Sequence, residues 1–285
     1  MPTMYSAGES FLLRFHRDQP AVTEKVFERL PVRLAGRELP SSYEALIELI
    51  PTHAKFVLDV GCGSAPMQRL MGAARPASAY LGVDFSLDEL RQAERNAWVI
   101  AGRSQAIPLP DARFDVVVSH MALMLMDDTP RVVSEIARML PMGGLLAAVL
   151  PAARPHSAAF DSYLHLLREE LGSMSAPAPR LGGGGWRDPE AIVTTLGAHF
   201  QDFSFDFLEH EERVQPSAAW ESFLKMYDLF HLGGPARERI RTKWLEQSGN
   251  WVDAQGFVTL PVRLLRLSCR RAEEPAALEG LHERA

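Results

Sequence analysis

Leu58-Asp59-Val60-Gly61-Cys62-Gly63-Ser64-Ala65, with Asp84 closing the next apolar run, is the stretch whose reading decides the fold. Phe56 to Val60 is a short apolar run that reads as a buried strand, and it ends in a glycine turn. Pro66 suits the first turn of the helix that follows, where its missing N–H has no intrahelical partner. Tyr80 to Val83 reads as a second strand, and Ser86 is placed to cap a helix over Leu87 to Asn96. A glycine loop at the carboxyl end of a strand lets the backbone approach a ligand. An acid about 20 positions further on can accept from both ribose hydroxyls. The pattern points to a nucleotide crevice in an open α/β sheet.

Working outward, Trp98 to Ala101, Phe114 to Ser119 and Leu145 to Leu150 read as further strands, and a helix opens at Asp128 or Thr129 and runs to about Leu140. Strands alternating with helices predict a doubly wound, seven-stranded, mostly parallel sheet covered on both faces. Before it, Val22, Val26 and Phe27, then Tyr43, Leu46, Ile47 and Ile50, recur at helical spacing, broken by the Pro31 to Pro40 region. After Pro151 come a helix over Ala158 to Leu171, a loop from Gly172 to Gly185 expected to be mobile, a helix over Pro189 to Leu196 and a strand over Phe200 to Phe207. Helices over Ser217 to Phe230 and Pro235 to Leu245 lead to a last strand, Phe257 to Leu267, expected to pair antiparallel at the sheet edge. Arg263, Arg266, Arg270 and Arg271 would protect that edge by charge. The expected division is an N-terminal helical lid region (1–54), an α/β core (55–151), an inserted helix and mobile loop (152–187), completion of the core (188–272) and a tail (273–285).

The 285 residues carry a formal net charge of -6, which weighs against nucleic acid as a partner. Two cysteines far apart, Cys62 and Cys269, support neither a disulfide framework nor a zinc site built on paired cysteines. Neither a signal peptide nor a membrane span is read, so a cytoplasmic protein is expected. The oligomeric state is not legible.

Two details separate the glycine loop from a dinucleotide fingerprint: Pro66 stands where a third glycine is needed, and Asp59 would repel a phosphate while suiting a sulfonium or ammonium. The chain resembles the class I S-adenosylmethionine-dependent methyltransferases, particularly the ubiquinone/menaquinone-type (methyltransferase type 11) group, over Phe56 to Pro151. Leu58 to Ala65 is similar to the family's first motif and Leu81-Gly82-Val83-Asp84 to its ribose-binding strand. Ile107-Pro108-Leu109-Pro110-Asp111 with Phe114 to Ser119, and Glu135 to Gly144, are similar to its later motifs. The resemblance implies a Rossmann-like core with the N-terminal helices and the insertion as a lid, and S-adenosylmethionine as cofactor.

It also implies that Asp59, Gly61, Cys62 and Gly63 surround the methionine part, Asp84 holds the ribose and Phe85 lies against the adenine. Ser104 and Gln105 fall at the adenine edge, and Ser119 and His120 where the fourth strand meets the sulfonium. Two residues depart from the family: Ala65 stands for a small residue that is often glycine, and Arg103 for an aspartate that accepts from the adenine amino group. His120 is the catalytic candidate, as general base or acceptor-orienting group, against a structural histidine beneath the cofactor.

Met121, Met124, Met126, Met139 and Met142 suggest either an adaptable acceptor pocket or core packing. Asp127 and Asp128 read as helix-start acids, and no metal is expected. His156, Asp161, Tyr163, His165 and Arg168 on the insertion face either the acceptor or solvent, and Trp186 is a lid aromatic or a core anchor. The implied function is methyl transfer to a small-molecule acceptor at O, N or C. An RNA or protein methyltransferase and a non-catalytic cofactor-binding partner protein are the alternatives.

Overall fold

The computed structural model describes residues 5–174, 178–183, 186 and 188–273. The loop expected to be mobile and the tail fall partly (175–177, 184–185, 187 and 274–285) outside the described residues. Helices α1 (Ala7–Asp18) and α2 (Val22–Phe27) come first, then strands β1 (Val32–Leu34) and β2 (Arg37–Leu39) and helix α3 (Ser42–Ile47). The alternating part runs β3 (Phe56–Val60), α4 (Pro66–Ala74), β4 (Ala79–Asp84), α5 (Leu87–Leu90), β5 (Val99–Ala101), β6 (Val116–His120), α6 (Thr129–Met139), β7 (Leu145–Pro151). Helices α7 (Ala158–Gly172) and α8 (Pro189–Leu196) precede β8 (Phe200–Val214). Helices α9 (Pro216–Phe223), α10 (Tyr227–Phe230) and α11 (Gly234–Gln247) lead to β9 (Val258–Arg271).

The strands form one sheet in the order β2-β1-β8-β9-β7-β6-β3-β4-β5. The pairs from β5 through β7 are parallel; those from β7 through β9, β8 and β1 to β2 are antiparallel, so only β1 and β9 run against the rest. The mostly parallel, doubly wound architecture stands, but the sheet has nine strands rather than seven. The two extra strands come from the stretch read as a break between helices. There Ala35 (φ +48°) and Gly36 (φ +81°) make a two-residue turn whose twist suits an antiparallel hairpin. Val32, Leu34 and Leu39 are buried while Arg33 and Glu38 stay exposed, the period of a half-covered strand.

The position of β9 also corrects the reading of its arginines. It lies between β7 and β8, inside the sheet. The arginines tie layers together instead of guarding an edge: Arg266 donates to Asp206 at 2.6 Å and to the Ala45 carbonyl at 3.0 Å. Arg270 and Arg271 donate to the Gly143 and Leu140 carbonyls, and Arg263 lies 3.8 Å from the Phe207 ring centre. Helix α5 is a single turn, not the longer helix expected, because Gln68 of α4 holds the chain beyond it, bonding the Asn96 carbonyl and the Trp98 amide. The helix expected over Ser217 to Phe230 is two, α9 and α10.

Alternation along the strands divides the core between the two faces. Leu58, Val117, Leu146 and Ala148 pack with α6 and α8, and Trp186 is an anchor of this core. Val57, Val116, Val118, Ala147 and Val149 pack with α3 and α4. Each of these valines and leucines, fully buried, stabilises the fold by about 1.5–3 kcal/mol in transfer terms. The two cysteines fall on opposite faces, Cys269 in the first core and Cys62 in the second. A third core joins α7, α9 and α11 through Phe160, Tyr163, Trp220, Phe223 and Trp244. Among the described residues no helix is long and apolar enough to cross a membrane.

Candidate active site

The chain order steps from β3 to β4 and β5 on one side, then returns to β6 on the other side of β3. The residues beyond the carboxyl ends of β3, β4 and β6 therefore meet at a switch point, where open α/β sheets bind ligands. A cavity lies there, and its floor holds Asp59, Gly61, Cys62, Gly63, Asp84, Phe85, Ser104, Gln105 and His120. Every expected site residue but one lines it. Ser119 does not: it is fully buried and its hydroxyl donates to the Val60 carbonyl at 2.8 Å, pinning β6 to β3.

The glycine loop is held by β4, whose Val83 carbonyl accepts from the Gly61 and Cys62 amides at 2.8 and 3.2 Å. Gly61 turns at φ +76°, and a Cβ there would lie 2.5 Å from that of Ala122, so close passage of two backbones requires glycine. Asp84 accepts from the Gly63 amide at 3.0 Å and the Ser86 amide at 2.8 Å. The Phe85 amide bonds to it as well, so of about four acceptor positions one remains for a ligand hydroxyl. Burial pushes its carboxyl above the usual range. Asp59 accepts from the Tyr80 hydroxyl at 2.8 Å, yet burial raises it to about 7.

The roof was not legible in the motifs. Glu9, Leu12 and His16 of α1, Thr23 and Glu24 of α2, and Tyr227 of α10 cover the cavity, together with Tyr43 and Glu89. Glu24 reaches into the glycine loop: its Oε1 accepts from the Ser64 amide at 3.0 Å, and a Cβ on Gly63 would lie 1.7 Å from it. Glu89 accepts from the Ala21 amide at 2.9 Å, fastening the cap between α1 and α2. Burial raises the carboxyls of both Glu24 and Glu89, the latter to about 8. The two carboxyls are close enough for the negative charge of Glu24 to disfavour ionisation of Glu89. Arg103 donates through Nε and Nη2 to Glu9 at 3.1 and 2.5 Å. One sequence signal did exist for Glu9: Ser6 and Glu9 have the spacing of a capping box, and the box is formed.

His120 bonds the Ser42 hydroxyl through Nε2 at 2.8 Å and stacks on Tyr43 at 3.8 Å. Its Nδ1 is buried and without a partner among the described residues. Ser42 has no other acceptor there, so fewest buried groups go unmet if its hydroxyl donates to Nε2 and the ring proton sits on Nδ1. Burial lowers the ring to about 3, so the imidazole is neutral at physiological pH.

Of the methionines, Met121 and Met126 line the cavity, Met139 is core and Met142 is exposed. Asp128 precedes α6 without capping it through its side chain, while Asp127 accepts from the Ser6 hydroxyl at the start of α1. Around the inserted helix α7 no residue lines the cavity: His156 pairs with Asp161 and His165 with Glu169 on exposed surface, and Tyr163 is core, whereas Arg180 and Gly182 further along the insertion pack against Gly8 and Met124 beside the cavity wall.

Residues 58–148 match a family model described as a methyltransferase domain. The chain is 34% identical over 122 residues to a malonyl-[acyl-carrier protein] O-methyltransferase of Pseudescherichia vulneris, covering 39% of this chain and 47% of that protein. An uncharacterized methyltransferase of Mycobacterium tuberculosis is 36% identical over 114 residues, 38% of this chain and 56% of its own length. The chain thus spans about half the length of these curated relatives. A phosphoethanolamine N-methyltransferase of Haemonchus contortus has the same fold, with a TM-score of 0.54 at 17% identity over 96% of this chain and 62% of that one.

Proposed function

We propose that the chain, whose residues 58–148 match a methyltransferase domain, is a class I, S-adenosylmethionine-dependent enzyme that transfers a methyl group to a small-molecule acceptor at oxygen, nitrogen or carbon. The observation that carries this reading is the convergence of the Gly61–Gly63 loop and Asp84 in one cavity at the switch point. The residues suit the cofactor: an acceptor position left on Asp84 for a ribose hydroxyl, a loop amide on Ser64 whose present partner is a carboxylate, and buried Asp59 on the wall where a cation would be favoured. The cofactor would supply a methyl group on a positively charged sulfur, and the chain's own task is to hold, orient and keep dry.

Asp84 would hold the ribose, Phe85 would lie along the base, and Ser104 and Gln105 would border it. The roof of α1, α2 and Tyr227 excludes water, so fixed dipoles replace solvent around the reacting pair. A neutral His120 works here by orienting the acceptor, since a ring with so low a proton affinity is a weak base. Among the described residues the cavity wall carries six acids, several of them held partly protonated by burial, against one arginine, Arg103, which favours a cationic or neutral ligand over a polyanion such as RNA.

Calorimetry tests the reading. Wild-type protein is expected to bind S-adenosylmethionine and S-adenosylhomocysteine but not NAD, and Asp84→Ala to lose at least about tenfold, ~1.4 kcal/mol. Binding of NAD, or of none of the three by folded protein, would sink it.

A further inference from the structure

We propose that Glu9, a residue of the N-terminal cap and not of the sheet domain, selects the base of the cofactor by accepting a hydrogen bond from its exocyclic amino group, with Arg103 positioning the carboxylate. The inference rests on the cofactor reading above and goes beyond it in naming what reads the base. Phe85 and His16 line one end of the cavity with their ring centres 6.3 Å apart, and the exposed Tyr5 ring lies 6.2 Å from Phe85 outside that lining. The ring planes are tilted by 59° and 67°, so an aromatic ligand would meet them through face and edge contacts. The same end carries Arg103, Ser104 and Gln105 from the segment after β5. Arg103 is a cation where an amino group would need an acceptor, and on its own it would repel the base's donor edge.

The cap reverses that. The Glu9 side chain is only 7% exposed, and its Oε1 takes both Nε and Nη2 of Arg103. Its Oε2 takes the Ser6 amide at 3.0 Å. Three of roughly four acceptor positions are thus used, and the one left on Oε2 is an acceptor only. An aromatic base meeting Glu9 must bring an N–H. Adenine does; hypoxanthine, with a carbonyl oxygen at that position, sets lone pair against lone pair. A site built around a buried acceptor rejects a ligand that leaves it unmet.

The test compares S-adenosylhomocysteine with S-inosylhomocysteine by calorimetry on the full chain, for wild type and Glu9→Gln. Glutamine preserves the capping box at this position, and its amide can both donate and accept. Equal thermal midpoints would verify that the variant is folded. The expected result is a wild-type preference for the adenine compound of at least about tenfold, narrowed to within about threefold in Glu9→Gln, chiefly by tighter binding of the inosine compound. Wild type that binds both equally, or a variant that keeps the full preference, overturns the assignment of Glu9 while leaving the cofactor reading intact. Wild type that binds neither overturns both.

Discussion

At Gly63 the backbone turns through φ +54° and the space beyond its Cα is filled by the Glu24 carboxylate. Gly63→Ala therefore meets two separate obstacles. The left-handed conformation costs an L-residue about 1–2 kcal/mol, and the methyl group must displace Glu24. We expect Gly63→Ala to be destabilised by about 2–3 kcal/mol in urea titrations. Glu24→Ala in the same chain should return the steric part and leave about 1–2 kcal/mol, so the two changes are expected to couple in a double-mutant cycle. A purely additive cycle would mean that Glu24 does not occupy the loop. Asp59, Gly61, Gly63, Asp84 and Phe85 were legible because loop and strand end are each local, and the sheet brings one to the other. Glu9, Glu24 and Glu89 were not, because their roles depend on where a cap lands. Glu24 meets Ser64 across 40 residues of chain and Glu9 meets Arg103 across 94. Ser119 was misread for a related reason. On a strand its neighbours face opposite ways, and its register directs the hydroxyl to β3, away from the cavity.

Among the elements, the parallel strands β3 to β7 were readable from apolar runs bounded by turn residues, since burial on both faces leaves little room for polar side chains. The hairpin β1–β2 was not. Three-residue strands are too short for alternation to register, and Ala35-Gly36 is a weaker turn signal than Asn-Gly. Arginines on β9 suggested an exposed edge, whereas their long stems lie along the sheet and their heads find carboxylates and carbonyls. The third core offers the clearest element-level test. Trp244 is fully buried and its indole N–H donates to the Ala159 carbonyl at 2.8 Å, joining α11 to α7. Trp244→Ala should cost about 3–5 kcal/mol. Trp244→Phe should cost less, mainly the unmet carbonyl at about 1–3 kcal/mol. Because Trp244 does not line the cavity, which this core reaches only through α10, S-adenosylhomocysteine affinity of the folded Trp244→Phe variant is expected to stay within about twofold of wild type.

For the molecule as a whole, the cavity sets the pH response of the cofactor-free chain. Glu89 is raised from 4.5 to about 8 and Asp59 from 3.8 to about 7, so the folded chain binds more protons than the unfolded one across that interval. Stability is then lost as pH rises through these values. His16 and His120, lowered from 6.5 to about 4 and about 3, act the other way, and their contribution is lost only as pH falls below about 6.5. The carboxyl effect is therefore unopposed by them between about pH 6.5 and 8.5, where the thermal midpoint should fall. Glu89→Gln should flatten that fall, and an unchanged slope would remove Glu89 as its source. The division of the two cysteines between opposite faces has a different use. Cys62 lies against the cavity beneath the cap, while Cys269 is sealed between the sheet and the helices of the other face. An alkylating reagent followed by mass spectrometry would thus read two clocks in one molecule. Cys62 would be modified at the rate at which the cap lifts and Cys269 at the rate at which the sheet itself comes apart, so a bound cofactor should slow the first far more than the second.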